Sequence, residues 1–511
     1  MHQQVAQYRK PLKVKPVERL SSDQVKAIDF GSKKLLSEVG ITCAGEVASR
    51  VYRDAGCEVT DNSDEKSKLW NIRFPAKVLE KALKSVPAKI VLGARNPENT
   101  LVLDAHEPTV YFGTGSETNI YLKSEVVDYV NSKDKNDVVQ RIKYKEEKGS
   151  LAALCESARL IDHLENADFF IRNINIQDEN IEAKYKDLNV FFSAMVNTGK
   201  HVQGGLTKID SLPDILKMGR IIAGENNYLP LSFIVCPIKS PLYMVSDSSE
   251  KVVAIAKEKV PLVISSSPQG GLTAPIQEEG IVTQINAEIL AGIALAQFSN
   301  PGTPVLYGSV PVRARLDTLH DCYGTAEFPQ YSMGCVQMAR HYGIPCYSSA
   351  GVADAKRPGL EAMMEKVYSY KAVASAGAHY IHYSFGLLHG TNIFSPLQAV
   401  LDNATIAIVK ALLRPADFDE NSIDESLTEI ANTCKTSGMF TRGIRKQLRR
   451  KVVSERYEFS SDKGEDVMIA AQTKMNSYLS DRANLLDKET AKRVFKEMPG
   501  LAEYLKEEYD E

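Results

Sequence analysis

Seven aromatic residues, Tyr111, Phe112, Tyr243, Tyr307, Tyr347, Tyr383 and Phe385, fall at or near the ends of short β-rich runs. Ring faces gathered round one point attract a quaternary ammonium, which donates no hydrogen bond, by about 0.5–2 kcal/mol per well-placed ring. Taken singly, each is a core aromatic before it is a cage wall. As a set they predict a small cationic or amphipathic ligand. His382 and His389 lie in and just past the last run, and His320 lies beyond the sixth. A donor to a substrate carboxylate is the use these histidines predict, and Arg313, Arg315 and Lys356 could share it or form ion pairs at the rim. No paired carboxylates, no His/Asp/Glu metal triad and no G-x-S-x-G elbow accompany the runs. Hydrolysis by the common routes and a metal centre are therefore not expected.

Eight such runs must position these side chains: Thr109 to Gly113, Phe169 to Ile176, His201 to Gly205, Leu231 to Pro237, Pro261 to Ser267, Pro304 to Ser309, Pro345 to Ala350 and His379 to Phe385. Between them lie amphipathic segments such as Leu212 to Ala223, Ser248 to Lys257, Ile281 to Gln297, Leu360 to Ala376 and Pro396 to Leu413. Parallel strands need a helical crossover each time, so the alternation predicts an α/β fold, a (β/α)8 TIM barrel. A doubly wound open sheet is the competing fold, disfavoured by the missing G-x-G-x-x-G and G-x-x-x-x-G-K-[ST] fingerprints. Residues 1–105 read as a helical N-terminal region, 106–415 as the barrel and 416–511 as a C-terminal helical cap. Lys133 to Lys148 reads as a solvated surface arm or helix, and Arg445 to Lys451 as a charged helix face.

The 62 Lys+Arg nearly balance 65 Asp+Glu for a net charge of -3, so no global basic field exists to hold nucleic acid or an anionic membrane. The basic N-terminal stretch has no apolar h-region, and the run Ala287 to Phe298 is too short to span a bilayer, which predicts a cytoplasmic chain. Eight cysteines without C-x-x-C spacing predict reduced thiols. The outer helices and long terminal additions make a homo-oligomer the expectation.

Further residues resemble a known family. They are Leu35-Leu36-Ser37-Glu38-Val39-Gly40, Arg73-Phe74-Pro75, Arg95-Asn96-Pro97, Phe112-Gly113-Thr114-Gly115, Pro268 to Pro275, Tyr307-Gly308-Ser309, Asp354-Ala355-Lys356-Arg357-Pro358, Glu365-Lys366 and Leu401-Asp402. In order and spacing this set resembles the corrinoid-dependent trimethylamine methyltransferase family, in its branch without pyrrolysine. The resemblance covers most of the chain. It implies a TIM barrel and transfer of a methyl group from a methylated amine to the cobalt of a separate corrinoid protein. The implied cobalamin is carried by that partner and not by this chain. Trimethylamine enzymes place a pyrrolysine near the seventh strand, where this chain has ordinary residues throughout Tyr347 to Lys356. The branch therefore implies a quaternary amine of betaine or carnitine type.

Such a nitrogen leaves as a neutral amine, so attack on its methyl carbon needs neither general acid nor protein nucleophile. The expected substrate-binding residues are Tyr111, Phe112, Tyr307, Arg313, Tyr347, His382, Phe385 and His389, with Tyr111, Tyr307, Tyr347 and Phe385 as the cage. No catalytic residue is assigned. A noncatalytic betaine-binding protein and a barrel lyase using Lys356 as a Schiff-base amine are the competing readings.

Overall fold

The structure, a computed structural model, describes residues 8–130, 138–224, 228–436, 440, 456–459, 466–481 and 486–510. Eight strands form its principal sheet: β1 (Thr109–Phe112), β2 (Phe169–Ile171), β3 (His201–Gly204), β4 (Leu231–Val235), β5 (Leu262–Ser266), β6 (Val305–Ser309), β7 (Cys346–Ser349) and β8 (Tyr380–His382). Each falls inside one of the eight expected runs. They pair in parallel in the order β1-β8-β7-β6-β5-β4-β3-β2, with Leu12–Lys13 added antiparallel on β1. The sheet curls until its ends touch. Gly113 forms a single parallel bridge to Phe169, and Asp168 N donates to Phe112 O at 2.6 Å. Gly113 permits that approach because a Cβ there would lie 2.1 Å from the Phe169 ring.

A helix follows every strand: α1 (Leu151–His163), α2 (Lys186–Asn197), α3 (Leu212–Ala223), α4 (Ser246–Lys257), α5 (Glu278–Ser299), α6 (Glu327–Tyr342), α7 (Leu360–Ser375) and α8 (Pro396–Leu413). Local chemistry sets their ends. Ser150 and Ser395 cap α1 and α8 by accepting from Ala153 N and Gln398 N, Pro396 occupies the first turn of α8, and Gly343 ends α6 in the left-handed conformation.

Alternation along each strand sends side chains to two separate cores. On β5, Leu262 and Ile264 join the helix-side core while Val263 joins the inner one. Each Leu or Ile so buried contributes about 1.5–3 kcal/mol. The inner core also holds Tyr111, Phe169, Ile171, Leu306, Tyr347 and Tyr380. It is closed at the N-terminal edge of the strands by the hairpin Lys89–Leu92/Leu101–Asp104, which inserts Ile90, Leu92, Leu101 and Leu103.

Two buried histidines tie this floor together. His201 Nδ1–H donates to Gly93 O at 2.5 Å, and its Nε2 meets Ser232 Oγ at 2.7 Å. His379 Nδ1 accepts from Cys346 N, and its Nε2–H donates to Asp104 O. Burial lowers both pKa values from 6.5 to about 4. Between those limits the unfolded chain binds more protons than the folded one, so stability falls as pH drops from about 7 towards 4. The expected slope is about 1.4 kcal/mol per pH unit per histidine within that window. Melting midpoints at pH 7.5, 6.0 and 5.0 check this: they should fall, and His201→Gln should flatten the trend.

The terminal regions differ from expectation. Residues 1–105 contain the expected helices (Ser22–Glu38, Glu46–Asp54, Ala76–Lys84), but they are not purely helical. Strands Ile41–Cys43, Glu58–Asp61 and Trp70–Arg73 build a five-stranded sheet with Ile238–Lys239 and Tyr243–Met244 from the loop after β4. Tyr243 therefore belongs to this sheet. Strands of three or four residues, completed by a distant hairpin, leave no periodic signal. The charged insertion is an antiparallel hairpin, Ile120–Val130 with Val138–Lys148, and residues 133–137 lie outside the described residues.

Helices Val467–Ser480 and Lys488–Glu497 pack on α1, α8 and α3, padding the side of the helical layer. The cluster Arg445 to Lys451 lies outside the described residues. Among the described residues two helices are long and apolar enough to cross a membrane, α5 and α8, and α5 extends the run Ala287 to Phe298 to 22 residues. Their apolar windows are 89% and 67% buried within the protein.

Candidate active site

Inward-facing side chains of β2, β7 and β8 stack into a continuous aromatic column. From the floor upward, Phe169 and Tyr380 lie 3.5 Å apart, Tyr380 and Tyr347 5.9 Å, Tyr347 and His382 4.1 Å, and His382 and Tyr383 3.7 Å between ring centroids. Tyr323, from the loop after β6, then meets Tyr383 edge-on at 6.5 Å. One register line runs through Tyr111, Tyr380, Tyr347, Gly308 and Ser265, so the column's neighbours on β6 and β5 are small.

At the C-terminal edge of the strands the last ring, Tyr383, keeps partial accessibility. Cys236, two residues beyond the inward-facing Ile234, is exposed, yet protein surrounds it and that enclosure pushes its thiol pKa up. Its electrostatic neighbours include Ser265, Tyr347 and Tyr383. Above them the carboxylate of Asp321 accepts from Tyr323 OH at 3.3 Å and from Gln269. Asp321 also acts on Tyr383, whose pKa is raised by burial first, then by Cys236 and Asp321.

His382 is buried and its pKa lies well below 6.5 because burial disfavours the charged ring. Nε2 lies 2.6 Å from Ser349 Oγ, which donates its single proton to Ser309 O at 3.3 Å. Nδ1 has no partner among the described residues. Nδ1 points at Gly115, where a Cβ would stand 2.8 Å away. Tyr380 OH and Gln203 Oε1 are also without partners among the described residues.

The structure brings together only part of the expected set. Tyr347 and His382 lie in the column. Tyr111 faces inward but at the floor, where its hydroxyl meets Arg9 O at 3.1 Å and Val102 O at 3.4 Å. Phe112, Tyr307 and Phe385 are corrections: all three sit in the helix-side core. Phe112 packs edge-on against Tyr370 at 6.3 Å, and Tyr307 donates to Asn286 Oδ1 of α5 at 2.9 Å. They turn outward because Tyr111 precedes Phe112 on β1 and Leu306 precedes Tyr307 on β6, each facing inward. Arg313 stands on the small strand Val312–Ala314, 3.6 Å from Glu327. His389 is exposed in a left-handed turn, and Lys356 is exposed on the loop after β7.

Several residues were missed. Tyr323 and Asp321 lie past the sixth run, inside the hairpin that carries His320. Arg172 directly follows β2, inside the expected run Phe169 to Ile176. Its guanidinium contacts Glu117, lies 3.9 Å from Asp187, and is lowered to about pKa 10 by burial. Among the described residues no group of three or more His, Cys, Asp and Glu is placed to hold a metal ion.

The family model for trimethylamine methyltransferase (MTTB) matches residues 1–441. The trimethylamine methyltransferase MttB of Methanosarcina thermophila is 27% identical over 420 residues, covering 80% of this chain and 81% of that protein. MttB of Desulfitobacterium hafniense is 26% identical over 425 residues, covering 82% and 79%. A glycine betaine methyltransferase of Desulfitobacterium hafniense is 25% identical over 407 residues, covering 79% of each. With a family match over residues 1–441, most of its length, the chain is a methyltransferase of the trimethylamine methyltransferase family.

Proposed function

We propose that the chain transfers a methyl group from a quaternary amine of betaine or carnitine type to the cobalt of a separate corrinoid protein, in the cytoplasm. The observation that carries this reading is the aromatic column, open at one end and bordered there by Asp321. The curled sheet is read as a (β/α)8 barrel over 106–415, supported by eight strand–helix alternations and the Gly113–Phe169 bridge. The hairpin Lys89–Leu92/Leu101–Asp104 closes its floor, and helices Val467–Ser480 and Lys488–Glu497 pad its outer helices.

The proposed cation seat is Tyr347, His382 and Tyr383, with Tyr323 behind and Asp321 as counter-charge. Neutral His382 suits a cationic ligand, since a protonated ring there would repel it. The tyrosine hydroxyls stay protonated because burial raises their pKa values, so their rings act through their faces. The walls orient one N-methyl carbon towards the open end and exclude water. The partner's reduced cobalt supplies the nucleophile. The C–N bond breaks with its electron pair returning to nitrogen, and a neutral tertiary amine leaves. No proton moves, so no side chain of the seat needs to titrate.

A thermal-shift panel of glycine betaine, carnitine, tetramethylammonium and trimethylamine tests the seat, because a ligand that binds only the folded state raises its melting temperature. Quaternary amines should raise the midpoint. A panel with no shift beyond that of sodium chloride would contradict the reading.

A further inference from the structure

The sequence motifs Asp354-Ala355-Lys356-Arg357-Pro358 and Glu365-Lys366 supply no wall of the column, yet the structure builds them into one chain of contacts ending on it. Glu365 sits on α7, half-buried behind the loop that follows β7. Its Oε2 accepts from Asp354 N at 2.8 Å and Ala355 N at 3.2 Å. Asp354, so fixed, turns its carboxylate the other way. Oδ1 accepts from Tyr323 N at 3.0 Å, and Oδ2 accepts from Gly324 N at 2.8 Å.

Glu365 also touches the Tyr323–Gly324 turn directly, since a Cβ on Gly324 would stand 2.4 Å from Glu365 Oε1 and 3.1 Å from Asp354 Oδ2. Glycine is the residue that lets two carboxylates close on this turn. Tyr323, held by its amide below and by Asp321 at its hydroxyl, props the ring of Tyr383 edge-on. Tyr383 has a left-handed backbone, φ 68°, an unfavourable conformation that surrounding contacts must maintain.

We propose that Glu365 is a positioning residue: through Asp354 it sets Tyr323 against Tyr383 and so fixes the open end of the aromatic column. Its consequence for ligand binding rests on the cation seat proposed above, but the contact chain itself does not. Glu365 touches no substrate in this account. It acts on the second turn of contacts outward from the seat.

The test uses the full chain with tetramethylammonium as probe. Glu365→Ala should weaken its binding about tenfold, the loss expected when one ring leaves its place. Glu365→Gln, which keeps an acceptor oxygen for Asp354 N and Ala355 N, should recover most of that loss. In a Tyr323→Ala background, Glu365→Ala should add nothing further, because the two act in series. An unchanged Kd in Glu365→Ala, or an equal loss with and without Tyr323, would overturn the proposal. If the unaltered chain bound no tetramethylammonium, the seat would fall, and amide exchange would decide this inference alone. Faster exchange at Tyr323 and Gly324 in Glu365→Ala upholds it, and unchanged exchange overturns it.

Discussion

Replacing Lys366 with Met is expected to cost the fold about 3–5 kcal/mol, the penalty for removing one partner of a buried ion pair. Lys366 Nζ and Asp402 Oδ2 lie 3.1 Å apart, and both side chains are wholly inaccessible. The loss exceeds that of a surface pair because Asp402 would be left buried and charged. Burial already pulls Lys366 down and Asp402 up, while their attraction and the bonds from Gly386 N and Gln398 Nε2 hold the charged forms. Lys366 also donates to Gly351 O of the loop after β7, and Asp402 accepts from Gly386 N after β8. The pair therefore ties down both loops that flank the column. Asp402→Asn in the Lys366→Met background keeps an acceptor for Gly386 N and removes the orphaned charge, so it should restore about 1–3 kcal/mol. Urea denaturation followed by far-ultraviolet circular dichroism measures both. Additive losses would refute the coupling.

Tyr347→Leu is expected to weaken tetramethylammonium binding by about tenfold to thirtyfold, equivalent to about 1.4–2 kcal/mol for a lost, desolvated cation–π contact. Tyr347 carries this because its ring faces inward beside Gly308 of β6 and the accessible Cys236. Tyr347→Phe retains the ring face and should stay within about threefold. Tyr307→Phe tests the facing of the strands: its hydroxyl bonds Asn286 in the helix layer, so stability should fall by about 1 kcal/mol without change in ligand affinity. Isothermal titration gives the affinities. Equal losses in Tyr347→Leu and Tyr307→Phe would contradict the inward and outward assignments.

That contrast marks the boundary of what the chain reveals before folding. All eight strands are legible because parallel strands covered on both faces are short, β-rich runs, five of which end in Gly, Ser or Pro. Leu212–Ala223 and Pro396–Leu413 coincide with their expected spans. Facing is another matter. Val305-Leu306-Tyr307-Gly308-Ser309 and Cys346-Tyr347-Ser348-Ser349 are both buried on both faces, so no polar alternation says which side either tyrosine takes. Tyr347 emerges inward and Tyr307 outward through a one-residue difference in where each strand enters the sheet. Tyr323 escaped notice for a different reason: it reaches the column from a hairpin beyond β6, and only contacts distant in sequence, with Asp354 and Tyr383, place it there. Arg172 was hidden by a strand that ends sooner than its apolar run.

The account stands most directly on one absorbance measurement: the chain mixed with a reduced corrinoid protein and glycine betaine, carnitine or tetramethylammonium in turn. It predicts conversion of the Co(I) spectrum to that of methylated cobalt, dependent on both the chain and a quaternary amine, and diminished in Tyr347→Leu. A Co(I) spectrum unchanged by every quaternary amine, or converted equally well by the Tyr347→Leu chain, would contradict it.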